Sequence, residues 1–241
     1  MKSTLNRLSI AFVALMTPWT ASAADSAAAC AEQTLGRFAG ATLEYQVNWK
    51  GFSLESTRSL DKLDDGVWQA SNNSSLLFMS IDEESRFKLQ DASLYPQDYR
   101  YERKGLSKKN NLHLSFENAG KYQVYSPRGD DEIAYQGAIY DLLSHQMQIR
   151  IDLACKPPRD DYQYPVARRK GISDYNYRYV GEQSVETPAG SFEAVLLERG
   201  EEGDKMDRIW LAPELGYLIV RLIHQEDDDE PAELLLTRRP G

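Results

Sequence analysis

Three histidines, His113, His145 and His224, are the residues best suited to acid–base or metal chemistry in this chain. They are too scattered to form a metal signature, since neither His-Glu-x-x-His nor Cys-x-x-Cys occurs. His113 lies between Leu112 and Leu114, which puts it on the wet face of a strand. His145 follows a candidate helix start and reads as a surface residue. A hydrolytic serine would need a strained turn and a general base, but there is no Gly-x-Ser-x-Gly, and Gly190-Ser191 falls in a hairpin turn. Carboxylates are plentiful enough for a glycosidase pair, although no spacing marks one. The run Glu226 to Glu230 offers oxygen ligands for calcium without the alternating spacing of an EF-hand, and it reads as a solvated hairpin tip. Neither a metal nor a cofactor is expected, and a hydrolase with an unrecognised site stands as the third reading of function.

Aromatic residues are the more suggestive group. Tyr45, Trp49, Tyr99, Tyr101, Tyr122, Tyr125, Tyr175, Tyr177 and Tyr179 recur at alternating positions. Amphipathic rings of this kind can line a cavity with their hydroxyls at its mouth, and Trp49, Tyr99, Tyr101 and Tyr177 are the expected lining. The same alternation also describes cross-strand packing in an ordinary sheet. Basic residues gather at Arg100 to Lys104 with Lys108-Lys109, and at Arg168 to Lys170, as solvated faces or edge protection.

These residues sit on segments whose period is two. Leu43, Tyr45, Val47 and Trp49 form one face, Lys50-Gly51 turns the chain, and Asp64-Asp65-Gly66 turns it again before Val67 and Trp68. Further strands are expected at 85–89, 99–103, 112–116, 122–125, 192–197, 208–211, 217–224 and 234–237, and around Tyr175, Tyr177 and Tyr179. Turns are expected at Asp91, Pro96, Gly105, Asn118 to Gly120, Pro127 to Gly129, Gly181 and Thr187 to Ser191. In 141–154 two periods compete: Met147, Ile149, Ile151 and Leu153 alternate, while Asp141 can cap a helix with Leu143, Met147, Arg150, Ile151 and Ala154 inside. The cap and the helix formers behind it favour the helix. Lys156 to Asp161 then separates two halves of the chain. The expected fold is all-β and mainly antiparallel, a single curled sheet or open β-barrel with one helix near 141–154.

Lys2, Arg7, the apolar run Leu8 to Met16 and Ala21-Ser22-Ala23 have the layout of a secretory signal peptide cleaved after Ala23. The expected domains are residues 1–23 as signal peptide and 24–241 as one domain, in the periplasm. The apolar run falls short of the ~20 residues that span a bilayer, so no transmembrane segment is expected. Without Lys2 and Arg7 the chain keeps 26 basic against 37 acidic residues, a formal charge of −11 that disfavours nucleic acid. Cys30 and Cys155 are the two cysteines, and in an oxidising compartment they are expected to pair. Buried free thiols, or a lipidated Cys30 after Ala27-Ala28-Ala29, are the alternatives.

Tyr45 to Gly51, Ser85-Arg86-Phe87, Tyr99 to Arg103, Tyr140 to Ser144, Val180-Gly181-Glu182, Thr187 to Phe192 and Trp210 to Pro213 occur in an order that resembles the exported bacterial proteins of the domain of unknown function 3108 family. The resemblance covers nearly all of the mature part. It implies a twisted antiparallel sheet around a hydrophobic interior, with Asp141-Leu142-Leu143-Ser144 at its helix, and it brings no reaction. By analogy of shape with half-barrel carriers, the first reading is a non-enzymatic periplasmic protein that binds a hydrophobic or amphipathic envelope ligand. The second is an envelope assembly or interaction factor that holds no small molecule.

Overall fold

In the computed structural model, residues 23–105, 107–200, 205–226 and 229–239 are described. The expected signal peptide lies outside them, except that Ala23 begins the first helix, α1 (Ala23–Gly36). Eight strands follow: β1 (Thr42–Trp49), β2 (Phe52–Lys62), β3 (Trp68–Leu76), β4 (Met79–Gln90), β5 (Ser93–Lys104), β6 (Leu112–Ser115), β7 (Lys121–Tyr125) and β8 (Asp131–Ala134). Helix α2 (Ser144–Cys155) separates them from six more: β9 (Asp161–Arg168), β10 (Gly171–Thr187), β11 (Gly190–Gly200), β12 (Met206–Ala212), β13 (Leu218–Gln225) and β14 (Ala232–Arg238).

All fourteen strands belong to one antiparallel sheet in the order β8-β7-β6-β5-β4-β3-β2-β1-β14-β13-β12-β11-β10-β9. Two meanders are thus joined edge to edge through β1 and β14, where Val47 faces Leu234 and Tyr45 faces Leu236. The free edges, β8 and β9, come from the middle of the chain. Although they stand at opposite ends of the strand order, the Tyr122 hydroxyl of β7 lies 2.9 Å from the Arg168 carbonyl and 2.7 Å from that of Gly171. Tyr140 also bridges β9, donating to Pro165 at 2.9 Å and accepting from Ala167 at 2.7 Å. Such contacts require the sheet to curl round on itself. Among the described residues it does not close by strand pairing.

Local chemistry accounts for most boundaries. Lys50-Gly51 has positive φ at both residues, the conformation of a tight hairpin turn. Pro96 and Gly181, expected as turns, lie within β5 and β10 instead. Each marks an irregularity in pairing, where Phe87 faces Pro96 and Arg86 faces Asp98, and where the register shifts between Tyr179 and Gly181. A residue without an N–H and one without a side chain both suit a bulge. Helix α1, unforeseen from hydrophobic period, is alanine-rich and buries Ala31 and Leu35. Cys30 of α1 and Cys155 of α2 form a disulfide, 125 residues apart in sequence.

Candidate functional site

Helix α2 occupies the inside of the curl. Its sequence, Ser-His-Gln-Met-Gln-Ile-Arg-Ile-Asp-Leu-Ala-Cys, has no clean apolar stripe, yet Ser144, His145, Gln148, Arg150 and Asp152 are buried beside Ile149 and Ile151. Polar groups removed from water must find partners, and these do. Asp141 Oδ1 accepts from the backbone N–H of Leu143 (2.8 Å) and Ser144 (2.9 Å), and the Asp141 N–H donates to Ser144 Oγ at 2.8 Å. This reciprocal pair is a capping box, so the expected cap is in place one turn before the regular helix. Ser85 Oγ donates to the other carboxylate oxygen at 2.7 Å. Burial raises the Asp141 pKa in spite of these donors.

Further along the helix, the Gln148 amide bonds the β4–β5 turn twice, accepting from the Leu94 N–H at 2.9 Å and donating to the Ala92 carbonyl at 3.1 Å. Arg150 donates to the Thr34 carbonyl (3.0 Å), in the last turn of α1, and to the Gly216 carbonyl (3.2 Å). Its charge gains from the negative end of α1, but burial lowers its pKa to about 10. Asp152 accepts from the Tyr164 hydroxyl at 3.0 Å and from Gln148 at 2.8 Å, and pairs with Lys156 at 2.7 Å. The helix is a plug fastened by specific bonds to α1, β4, β5 and β9.

At its N-terminal end α2 meets β10 to β13 in a cleft of about 250 Å³, lined by His145, Arg168, Tyr175, Tyr177, Arg199, Lys205, Asp207, His224 and Glu226 among others. His145, expected at the surface, is buried. Its Nδ1 lies 3.2 Å from the Asp141 carbonyl, which can only accept, so Nδ1 carries the proton and Nε2 accepts from the Tyr177 hydroxyl at 3.3 Å. Desolvation lowers its pKa to about 4. Arg199 lies with its guanidinium 3.8 Å from the Tyr175 ring centre and is paired with Asp207, which also accepts from His224 Nδ1. Burial pushes the Asp207 pKa up, but His224 and Arg199 outweigh it and hold the carboxyl below its ordinary range. Lys205 pairs with Glu226, and Arg168 donates to the Tyr175 hydroxyl at 2.7 Å. Arg199, Lys205 and His224 are thus matched by Asp207 and Glu226, while Arg199 Nε is buried with no hydrogen-bond partner. The described lining residues include no serine, threonine or cysteine, and the cleft presents charged groups for polar contact with a visiting charged group.

The four aromatics expected to line one cavity are distributed. Tyr177 is in this cleft under α2; Tyr101 borders a groove with His113 and Tyr125; Trp49 borders another with Lys50, Arg221 and Ile223. Tyr99 is buried, and its hydroxyl donates to Glu83 at 2.7 Å. Two other buried tyrosines are engaged similarly, Tyr45 with the Ile219 carbonyl and Tyr164 with Asp152.

A feature that alternation does not reveal is at the end of the sheet where β1 turns into β2 and β3 into β4. Trp49 (47%) and Phe52 (60%) are exposed at one tip, Leu77 (89%) and Phe78 (78%) at the next. Leu77 has φ +54, in the left-handed region where a branched apolar residue is disfavoured. The signal was the run Leu76 to Met79, which lacks any turn residue and so reads as strand interior.

A family model described as protein of unknown function (DUF3108) matches residues 44–237. The chain belongs to that family. The match runs from β1 to β14, so in this DUF3108 protein the disulfide ties the matched region, through Cys155, to a helix that precedes it. No curated protein matches the chain. Among solved structures, the DUF3108 chain is similar to a β-barrel-like protein of domain of unknown function DUF1849 from Brucella abortus, at TM-score 0.53 and 10% identity over 83% of this chain and 95% of that one. It also matches the structure of the Pseudomonas aeruginosa MucA/MucB complex at TM-score 0.33 and 12% identity, over 91% of this chain and 57% of that one, too loosely to carry an argument. The first likeness supports the fold alone. Among the described residues of this DUF3108 protein no helix is long and apolar enough to cross a membrane, and no group of three or more His, Cys, Asp and Glu is placed to hold a metal.

Proposed function

We propose that this protein is a non-enzymatic interaction factor of the cell envelope that meets its partner with its outside surface and does not enclose a small molecule. The observation that carries this reading is the α2 plug. A carrier needs room inside its curled sheet, whereas here the inside is taken by a helix whose buried polar groups are bonded to opposite parts of the sheet. Two of the expected ligand-lining tyrosines support it too, because the Tyr99 and Tyr177 hydroxyls are spent on internal bonds to Glu83 and His145. Meanwhile four large apolar side chains stand exposed on adjacent hairpin tips, where a monomer would gain by covering them.

The test is mass spectrometry of organic extracts from the protein purified out of its own periplasm, beside an unrelated exported control. The expected result is no extractable molecule above the control. A specific lipid or isoprenoid at one per chain would overturn the reading in favour of enclosed cargo.

A further inference from the structure

We propose that the β1–β2 and β3–β4 hairpin tips form a bilayer-docking rim, with Trp49, Phe52, Leu77 and Phe78 entering the headgroup region and lysines beside them meeting lipid phosphates. This rests on the reading that the partner is met from outside, and names that partner.

Register places the tips together. Trp49 pairs with Phe52, Leu76 with Met79, and Glu55 of β2 with Ser75 of β3, so the two turns lie side by side at one end of the sheet. Ser80 pairs with Lys104, which brings the β5–β6 connection, with exposed Lys108 and Lys109, next to the Leu77-Phe78 tip. Arg128, in the β7–β8 turn, bonds the Lys109 carbonyl at 3.1 Å and continues the basic flank. Exposed cations thus gather beside the Leu77-Phe78 tip, while the Trp49-Phe52 tip adjoins the acidic β13–β14 turn, whose Asp229 pairs with Lys50 at 3.2 Å. Lys50, although paired with Asp229, lies over the Trp49 ring, 5.0 Å from its centre, so the lysines left to meet phosphates are Lys108 and Lys109.

Two further observations indicate that the tip is built to project. Leu77 occupies a left-handed backbone position that Gly or Asn would hold with less strain, and it spends that strain on a side chain left in water. Gly105 lets the neighbouring connection close onto the turn: a Cβ there would come within 2.3 Å of the Phe78 carbonyl oxygen. Separate protruding side chains suit a deformable lipid surface, which accepts them without a matching pocket, while flanking lysines add attraction to anionic headgroups.

The experiment is flotation of the full mature protein with vesicles of phosphatidylethanolamine and phosphatidylglycerol (7:3), at low and 0.5 M salt, alongside Leu77→Asn/Phe78→Ser. A second variant, Tyr95→Ser, removes an exposed aromatic near the opposite end of β5. Wild type and Tyr95→Ser are expected to float, less so at high salt. The tip variant is expected to lose at least tenfold in bound fraction while unfolding at the same temperature or higher. Failure of the wild type to float, or equal flotation of the tip variant, would overturn the rim. A photo-crosslinker at position 78 that labels a protein and no lipid would also overturn it, while leaving the outside-partner reading intact. An enclosed lipid that survives in the tip variant would sink that broader reading instead.

Discussion

Acidification should weaken this fold through one residue, His145. In the folded protein its ring is removed from water and Nε2 accepts from Tyr177, so a second proton forfeits hydration and must turn the Tyr177 hydroxyl round to accept it; Arg199 adds repulsion. The folded pKa is about 4 against an ordinary 6.5. Between those values the unfolded chain holds more protons than the folded one, so stability is complete above pH 6.5, declines as pH falls to 4 and is level below. The gap corresponds to about 3 kcal/mol. His145→Phe keeps most of the ring volume and cannot titrate, but it leaves the buried Tyr177 hydroxyl unpaired, at a cost of about 1–3 kcal/mol at pH 7. Urea unfolding followed by tryptophan fluorescence at pH 7, 5.5 and 4 should therefore give crossing profiles: the variant is weaker at pH 7 and equal to or stronger than wild type at pH 4. Asp141 and Asp207 also face this region and titrate with opposite senses, the first raised and the second lowered, but both remain in the variant and drop out of the difference. Parallel profiles would refute the argument and move the acid sensitivity elsewhere.

Other perturbations follow from the same plug. Arg150→Met should cost about 1–3 kcal/mol, because relief from burying a charge is offset by two carbonyls, the buried Thr34 and the half-buried Gly216, that lose their donor; a denaturation midpoint unchanged from wild type would contradict this. Replacing both Cys30 and Cys155 with serine should remove about 5 kcal/mol in the loop-entropy picture for a separation of 125 residues, read as a fall in melting temperature that reductant reproduces in wild type. Leu77→Asn should raise stability by about 1 kcal/mol by releasing left-handed strain at an exposed position, measured by the urea midpoint; a loss would mean that the Leu77 side chain is needed for folding.

Where one face of a strand is buried, its period was plain: Leu43 and Tyr45 are inside, and so are Tyr175 and Tyr177. Burial fades toward Trp49 because β1 runs out at the exposed rim, which alternation cannot register. β8 is not legible in the sequence because Asp131-Glu132-Ile133-Ala134 offers too little apolar pattern, nor is β9, because Pro165 argues against a strand. An edge strand tolerates that proline, and its carbonyl is still used, by Tyr140. The Asp141 cap is legible in the sequence and the burial of His145 is not, since an imidazole hidden by Tyr164 of β9 and by Tyr175 and Tyr177 of β10 depends on rings contributed by two later strands. The cleft partners Arg199, Asp207 and His224 likewise meet only through strand register, with Asp207 opposite both Arg199 and His224.

Pairing β1 with β14 also sets an order of assembly. A chain made from its N-terminus produces β1 first and its second neighbour last, so the sheet's central seam cannot be sewn until nearly the whole sequence exists. Until then β1 offers an unpaired ladder, with Leu43 and Tyr45 ready to bury, to any other strand nearby. Cys155, by contrast, precedes all of the last six strands, so once the chain meets an oxidising compartment the Cys30 link can anchor α2 against α1 while the seam is still open. The nascent protein would then be a half-finished, covalently tethered intermediate whose exposed edge, more than its final stability, decides whether it needs a chaperone.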